Sequence, residues 1–513
     1  MMDVNTDSNA RQRDNCNIDS HITAMHQAAS GPAASALYRR RNAAFLFEPD
    51  GKVHPWTEFK LFSLGAVHEY TLDTGDLSLA NETFDEMVEH YSLSQFIQKP
   101  GGGAEINDGL VVKAPLAGLP PGMATQASNT AAYYDQVYQD LVDYPDTTDI
   151  FNDDAAFPEG SMCCQDGYVF SNVSTAINAH VAQAHRRLAD MSRWLARPAS
   201  EADRFDALAD GIVAGLKKHM LTSNCQPAAP ACFLDGLGFG APNTKVPTPN
   251  ANKTITHTAV QGAVFVTGCG ALLTPEESLT LLPFLRAKTK VMPLFSAMAS
   301  NFFLEGLYRM AAADPTSGSA DFAYEVLVRD GHRSWREMLA ANATMTTEHW
   351  YGTNTHGPKP YQGHSWSHPW SASPARIIPQ WLFGVRPLER AWRRIAVHPQ
   401  PGSTLTVAAM TVPTMRGSVA LSFARSSCSF ALNLTVPGNT FAEVCLPVAL
   451  LPKSTLQLST LPTVTVNGER AATTVPVGRP GQVCLTDDVP GGEYSIRSAL
   501  SSAACMSRNA QLS

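Results

Sequence analysis

Apolar residues recur every three or four positions through the first three quarters of this chain, then gather into short β-branched runs. Over residues 57–73 the set Phe59, Phe62, Ala66, Val67 and Tyr70 has the spacing of an amphipathic helix. Residues 176–195 repeat it with Ile177, Val181, Ala184, Leu188 and Met191, which puts Arg186 and Arg187 on the wet face. Ser200-Glu201-Ala202-Asp203 has the form of a capping box and predicts a helix running to about Met220. Further helices are predicted over 275–286, 291–312, 320–329 and 371–383. Gly/Pro-rich loops interrupt them at 100–128, 144–167 and 225–256. Loops longer than about fifteen residues usually carry function or stay disordered. A helical barrel could gather all three around one mouth.

After Pro387 the pattern changes. Residues 404–410, 418–423, 427–434, 441–446, 463–466 and 494–497 are short runs bounded by Gly, Pro or Asn, at the spacing of a β-sandwich. Asn467-Gly468 between Val466 and Glu469 is a two-residue hairpin signal. The chain therefore divides into a helical domain over 1–388, a β-domain over 389–500 and a tail over 501–513. No internal repeat is found.

Composition narrows the function without naming it. At 513 residues, 44% hydrophobic and 16% charged, the chain is long enough for two folded domains. A net charge of −8 and no basic run longer than Arg39-Arg40-Arg41 argue against nucleic acid as a partner. No window approaches eighteen uninterrupted apolar residues, so no membrane span is expected. No charged-then-apolar leader precedes residue 20. The ten cysteines are too few for a disulfide scaffold, although Cys225 and Cys232 permit a bridge and Cys163 and Cys164 are adjacent. Sequons at Asn81, Asn172, Asn252, Asn342 and Asn433 are weak evidence for secretion, and the compartment and oligomeric state stay open.

Two clusters carry candidate chemistry. Near the start, Asp7 and Arg11 stand four apart, as do Asn9 and Arg13, so one helical turn would align each pair. The competing reading is a capped helix start, with Asp7, Ser8 or Asn9 as N-cap. The second cluster is Thr347-Glu348-His349-Trp350, followed by His356, His364, His368 and Trp370. A carboxylate beside tryptophans suits a sugar, because indole faces stack on pyranose C–H surfaces and carboxylates bind or activate hydroxyls. His364 and His368 also stand one helical turn apart. Pro369 restricts the backbone of His368 away from the helical region, so no metal is expected there.

Residues 3–19 resemble the catalytic signature of the bacterial-type α-L-rhamnosidases, glycoside hydrolase family 78. Asp7, Arg11 and Asp19 match that signature. Arg333-Ser334-Trp335 through Glu348-His349-Trp350 resembles the segment ending in the family's general base, and Ser367-His368-Pro369-Trp370 its His-x-Trp segment. Residues 384–402 resemble the hinge into its C-terminal β-domain. Residues 54–57, 70–76, 166–170 and 175–179 fit as well, in family order. The resemblance implies an all-α (α/α)6 six-hairpin toroid barrel followed by a small antiparallel β-sandwich. It implies removal of terminal α-L-rhamnose with inversion, needing no metal or organic cofactor and taking a rhamnose-containing oligosaccharide or glycoside as partner. By the same likeness Glu348 is the base, and Asp7, Arg11 and Asp19 hold rhamnose hydroxyls. Trp350, His368 and Trp370 line the sugar site, with Trp56 and Phe157 or Tyr144 as stacking platforms. The chain departs from the family where the general acid belongs, because Gln12 stands there and an amide cannot protonate a leaving oxygen. Thr347 replaces the Trp before the base, and the β-domains that precede the barrel in the family are missing. Three expectations follow: an active enzyme in which Asp7 or Asp19 takes the acid role or the leaving group needs little protonation; a sugar-binding homologue without full turnover; or a barrel glycosidase of another sugar specificity.

Overall fold

In the computed structural model the described residues are 21–45, 61–88, 173–238, 254–270, 272–291, 296–331, 333–348, 366–447, 462–477 and 481–501. The backbone of 17–20, 57–60, 96–97 and 112–113 and the single positions 47, 110, 168, 169, 171, 350, 479 and 505 complete them.

The helices are α1 (Asn17–Ser30), α2 (Pro32–Phe45), α3 (Thr57–Thr74), α4 (Ser78–Glu86), α5 (Thr175–Trp194), α6 (Ala199–Gly215), α7 (Val260–Gly268), α8 (Pro275–Leu279), α9 (Leu282–Val291), α10 (Ser300–Ala313), α11 (Ser319–Val328), α12 (Trp335–Ala340) and α13 (Ser373–Ile377). Six of them close on themselves: α1 packs on α3, α3 on α5, α5 on α7, α7 on α10, α10 on α13 and α13 on α1. Others lie against these, such as α2 on α1 and α3, α6 on α5, and α11 on α10. Between α7 and α10 the approach is close enough to need glycine. A Cβ on Gly268 would lie 2.3 Å from Phe302 O, and one on Gly306 2.6 Å from Thr267 Oγ1.

Aromatic rings fill the centre. Phe62, His180, Phe265 and Phe302 come from α3, α5, α7 and α10, with centroids 4.7 Å apart for His180–Phe265 and 5.3 Å for Phe265–Phe302. His21 joins them from α1, 5.5 Å from Phe62.

Several predicted elements change on folding. The helix expected to open on a capping box at Ser200 begins at Ala199 with Pro198 as N-cap and no side-chain cap. Glu201 instead accepts hydrogen bonds from Arg197 Nε (2.6 Å) and Ser192 Oγ (3.1 Å). A reciprocal capping box forms between Thr274 and Glu277, at the start of α8. The 275–286 helix is two, because Pro283 has no N–H to donate and is tolerated only in the first turn of a new helix, α9. Pro369, Pro374 and Pro379 likewise divide 371–383 into a 3-10 turn (Pro369–Ser371), α13 and a π-helical turn (Ile378–Leu382). Arg187, expected on a wet face, is buried. Ring closure turns that face of α5 inward.

Beyond short two-residue pairings among the helices, the strands of the C-terminal region are β1 (Val385–Pro387), β2 (Arg394–Val397), β3 (Val407–Thr414), β4 (Gly417–Arg425), β5 (Ser429–Val436), β6 (Phe441–Pro447), β7 (Thr463–Val466), β8 (Glu469–Arg470), β9 (Thr473–Thr474), β10 (Gln482–Leu485) and β11 (Gly492–Ala499). They form a six-stranded sheet in the order β8-β7-β11-β5-β4-β3 and a five-stranded sheet in the order β9-β10-β6-β2-β1. Asn467 and Gly468 take φ of +51° and +88°, and Val466 pairs with Glu469, so the predicted hairpin is present. The expectation of a wholly antiparallel sandwich needs one correction. Strand β6 runs parallel to β2, Phe441 opposite Arg394, because the β3–β5 meander separates them and lets both point the same way. Disulfides join Cys225–Cys232, Cys428–Cys505 and Cys445–Cys484.

The helices and strands are tied together by two carboxylates, Asp73 buried and Asp321 half-buried. Asp73 in α3 accepts from Arg39 Nη2 in α2 and from Trp392 Nε1 beside β2, each at 2.5 Å. Asp321 in α11 accepts from the amides and hydroxyls of Ser403 and Thr404 at 2.6–2.9 Å. At the junction Gly384 has φ +75°, and a Cβ there would lie 2.1 Å from His398 O.

Candidate active site

The two segments singled out around Glu348 and His368 are laced edge to edge. His368 N donates to Thr346 O and Thr346 Oγ1 donates back to His368 O, both at 2.8 Å. Trp370 Nε1 donates to Glu348 O at 2.9 Å, and Ser371 Oγ to Thr347 O at 2.6 Å. Backbone groups of irregular chain that would be costly to bury unpaired are thereby satisfied. Pro369 matters here, since its ring favours extended backbone at His368, which has φ −131° and ψ 105°.

Glu348, Trp350, His368 and Trp370 are all buried, at 2%, 2%, 1% and 3% exposure. The rings of His368 and Trp370 lie 4.2 Å apart, and Trp335 meets Trp350 edge-on at 5.1 Å. Four of the expected site residues thus converge. Trp335 and His26 were not foreseen. Trp335 Nε1 donates to Ser371 O at 2.8 Å, and His26 of α1 reaches Pro369 O at 3.0 Å through Nδ1. Burial lowers His26 to about 3, so its ring is neutral, with the proton on the nitrogen that faces the carbonyl. Trp335 had a signal, being in the segment that resembles the family. His26 had none, for its role exists only once α1 meets the turn before α13.

Asp19 falls in the first turns of α1, the helix that His26 docks on this cluster. The side chain of Asp19 lies outside the described residues, as do Asp7, Arg11, Gln12, Trp56, Tyr144, Phe157, His349, His356 and His364. On another side of the ring, buried Asp235 gathers Val169 N (2.7 Å), Ala259 N (2.6 Å) and His257 Nδ1 (2.7 Å). It joins the segment before α5 to the start of α7. Burial raises its pKa against the pull of His257.

Among the described residues one trio, His398, Glu443 and Cys445, has the proximity of metal ligands. The Cys445 sulfur is committed to Cys484, so the trio offers no free thiolate. His398 and Arg479 hold the Glu443 carboxylate, at 3.0 and 3.2 Å, and keep its pKa at about 2. It is an ion-pair cluster under the junction.

The described helices thus form a ring that passes its chain to a β-sandwich, and Glu348 is buried among tryptophans beside the ring helix α1. Residues 300–383 match the bacterial alpha-L-rhamnosidase 6 hairpin glycosidase domain, and residues 384–457 match the bacterial alpha-L-rhamnosidase C-terminal domain. Over 300–457 the chain is thus similar to two successive domains of the bacterial α-L-rhamnosidases. An alpha-L-rhamnosidase of Alteromonas sp. (strain LOR) is 27% identical over 164 residues, 31% of this chain and 18% of that protein. One of Formosa agariphila is 29% identical over 136 residues, 26% of this chain and 14% of its own length. The fold extends further. The alpha-L-rhamnosidase structure from Dictyoglumus thermophilum superposes with a TM-score of 0.60 at 13% identity, covering 97% of this chain and 47% of that one. The Streptomyces avermitilis alpha-L-rhamnosidase complexed with L-rhamnose gives 0.58 at 16%, covering 96% and 39%. The chain therefore spans less than half the length of these solved relatives.

Proposed function

We propose that the chain is a glycoside hydrolase that removes terminal α-L-rhamnose with inversion, with Glu348 as the general base. The observation that carries this is the lacing of 346–348 to 368–371, which gathers Glu348, Trp350, His368 and Trp370 into one buried cluster. It lies within the stretch related to the glycosidase domain. In this reading the six-membered helix ring is the inner layer of an (α/α)6 six-hairpin barrel over 1–388, and 389–500 is its β-sandwich. Asp7, Arg11 and Asp19 hold the rhamnose hydroxyls, while Trp56, Trp350, His368 and Trp370 line the ring-binding surface. An inverting pair stands about 6.5–9.5 Å apart to admit the attacking water. Glu348 takes the proton of that water.

Gln12 at the acid position favours a second reading, a sugar-binding homologue with impaired turnover. Leaving-group dependence separates the two. Hydrolysis of an aryl α-L-rhamnoside without cleavage of a rhamnosyl disaccharide marks an enzyme lacking its acid, and Gln12→Glu should then restore the disaccharide. Rhamnose binding by calorimetry with no turnover of either substrate establishes the sugar-binding reading. An enzyme whose disaccharide activity ignores Gln12→Glu but vanishes in Asp19→Asn places the acid at Asp19.

A further inference from the structure

Away from the Glu348 cluster, a cavity of about 600 Å³ opens between the helix ring and the start of the β-domain. It is reached by the later turns of α3 and α5, the end of α7 and one side of α10, and none of Glu348, Trp350, His368 or Trp370 lines it. Six arginines and three carboxylates face it. Two of the arginines are neutralised from outside its wall: Arg186 pairs with Asp206 and Asp210, and Arg479 with Glu443. Asp190 is engaged by His68 and Arg193. What remains is Arg187, Arg309, Arg376 and Arg386 against Glu69 and Glu305.

Those two carboxylates do not suffice. Glu305 is shared, accepting from Arg309 Nη2 and Arg376 Nη1 at 2.7 Å each. Glu69 reaches Arg187 only at 3.5 Å. Arg386 has a backbone partner, Gln380 O at 2.8 Å, and stacks 4.3 Å over Trp381, but pairs with no carboxylate among the described residues. Among the described residues the wall so holds about two positive charges more than it neutralises. Burial, with Arg309 and other guanidiniums nearby, pulls the Arg386 pKa down to about 9. His21, 1% exposed and lining the same space, has both ring nitrogens without a hydrogen-bond partner. Trp381 Nε1, beside Arg386 and Arg309, is likewise buried and unpartnered. A folded protein rarely leaves like charges and orphaned donors together in one enclosed space unless an acceptor completes them.

We propose that this cavity binds a small oxyanion, carried as a carboxylate, sulfate or phosphate group, with Arg187, Arg376 and Arg386 as its charge partners and His21 as a neutral hydrogen-bonding partner. None of the described residues assigned to rhamnoside hydrolysis lines this site, and the proposal does not depend on that activity. Guanidiniums are suited to it because their paired N–H groups match two oxygens of one anion.

The test is calorimetric titration of the full chain with sulfate, phosphate and malonate at constant ionic strength, with chloride as control. Saturable binding of at least one oxyanion, and none of chloride, is expected. Which oxyanion binds tightest identifies the group the ligand carries. Arg386→Gln keeps a donor for Gln380 O while removing the charge, and should weaken binding at least tenfold. Glu69→Gln releases Arg187 and should tighten it severalfold, an effect that damage to the fold would not produce. Absence of saturable binding by all three oxyanions, equal response to chloride, or affinities unchanged in both variants would overturn the proposal.

Discussion

The helical and β-regions bury different kinds of side chain. The sandwich core is made of Val412, Val419, Leu421, Phe423, Phe430, Leu432, Leu434 and Ile496, facing inward on alternate positions, and disulfides join Cys428–Cys505 and Cys445–Cys484 at its margins. The helix ring buries His21, His26, His180 and His185 beside Arg39, Asp73 and Glu305. The ring's interior therefore depends on protonation, whereas the apolar core between the two sheets depends on volume. A ring of separate helices has room at its axis for polar groups and ligands; two facing sheets about 10 Å apart do not. The proposed chemistry belongs with the first.

The largest effect expected from that contrast is on activity. Glu348→Gln should lower kcat toward an aryl α-L-rhamnoside by about 10²–10⁴-fold while leaving the melting temperature near that of the parent. An active Glu348→Gln protein would remove Glu348 as base and the ring's catalytic cluster with it.

Acid should come next. Burial lowers His26 and His180 to about 3, His185 to about 4, and His21 well below its ordinary value. The unfolded chain takes up protons below about pH 6.5 where these folded rings do not. Their contribution is complete above pH 6.5 and falls as the pH drops from there toward 4 and 3. The loss is on the order of 5 kcal/mol between pH 6.5 and 5. Thermal melts across that range measure it, and His185→Phe should flatten the dependence. A Tm that does not change between pH 7 and 5 would dissolve the contrast between the regions.

In the sandwich, Phe423→Ala should cost about 3–5 kcal/mol by leaving a cavity against Phe383 and Phe430. That loss should be the same at pH 7 and pH 5.5, a parallel offset in the melts. The smallest effect belongs to local structure. Thr274→Ala removes the side-chain half of the capping box on α8 and should cost about 1 kcal/mol in urea titration.

What could be read beforehand follows the range of the interaction. Strand β7 was expected at its observed bounds, and the Asn467-Gly468 turn follows from two residues that tolerate positive φ. Helices α3 and α5 were legible because their spacing lies within one element. Strands β1, β2 and β10 were not, since their pairing joins segments remote in the chain, and the parallel β2–β6 register depends on what lies between them. Glu348, Trp350, His368 and Trp370 were singled out by residue type and family likeness, but the hydrogen bonds that bring their segments together connect positions 22 to 24 apart. Arg187 was misplaced for the same reason: a wet face in one helix becomes an inner wall when six helices close.

Asp73 and Asp321 give the two regions a shared mechanical fate. Each carboxylate is anchored in a helix and grips the β-side of the chain, one through Trp392 and the other through Ser403 and Thr404. One attachment comes from a ring helix and the other from a helix packed on α10, so swinging about either one would break the other. A pull applied to the sandwich is passed directly into α3 and α11 and not absorbed by a hinge. The β-region is in that sense a brace, holding α3 and α11 at fixed spacing.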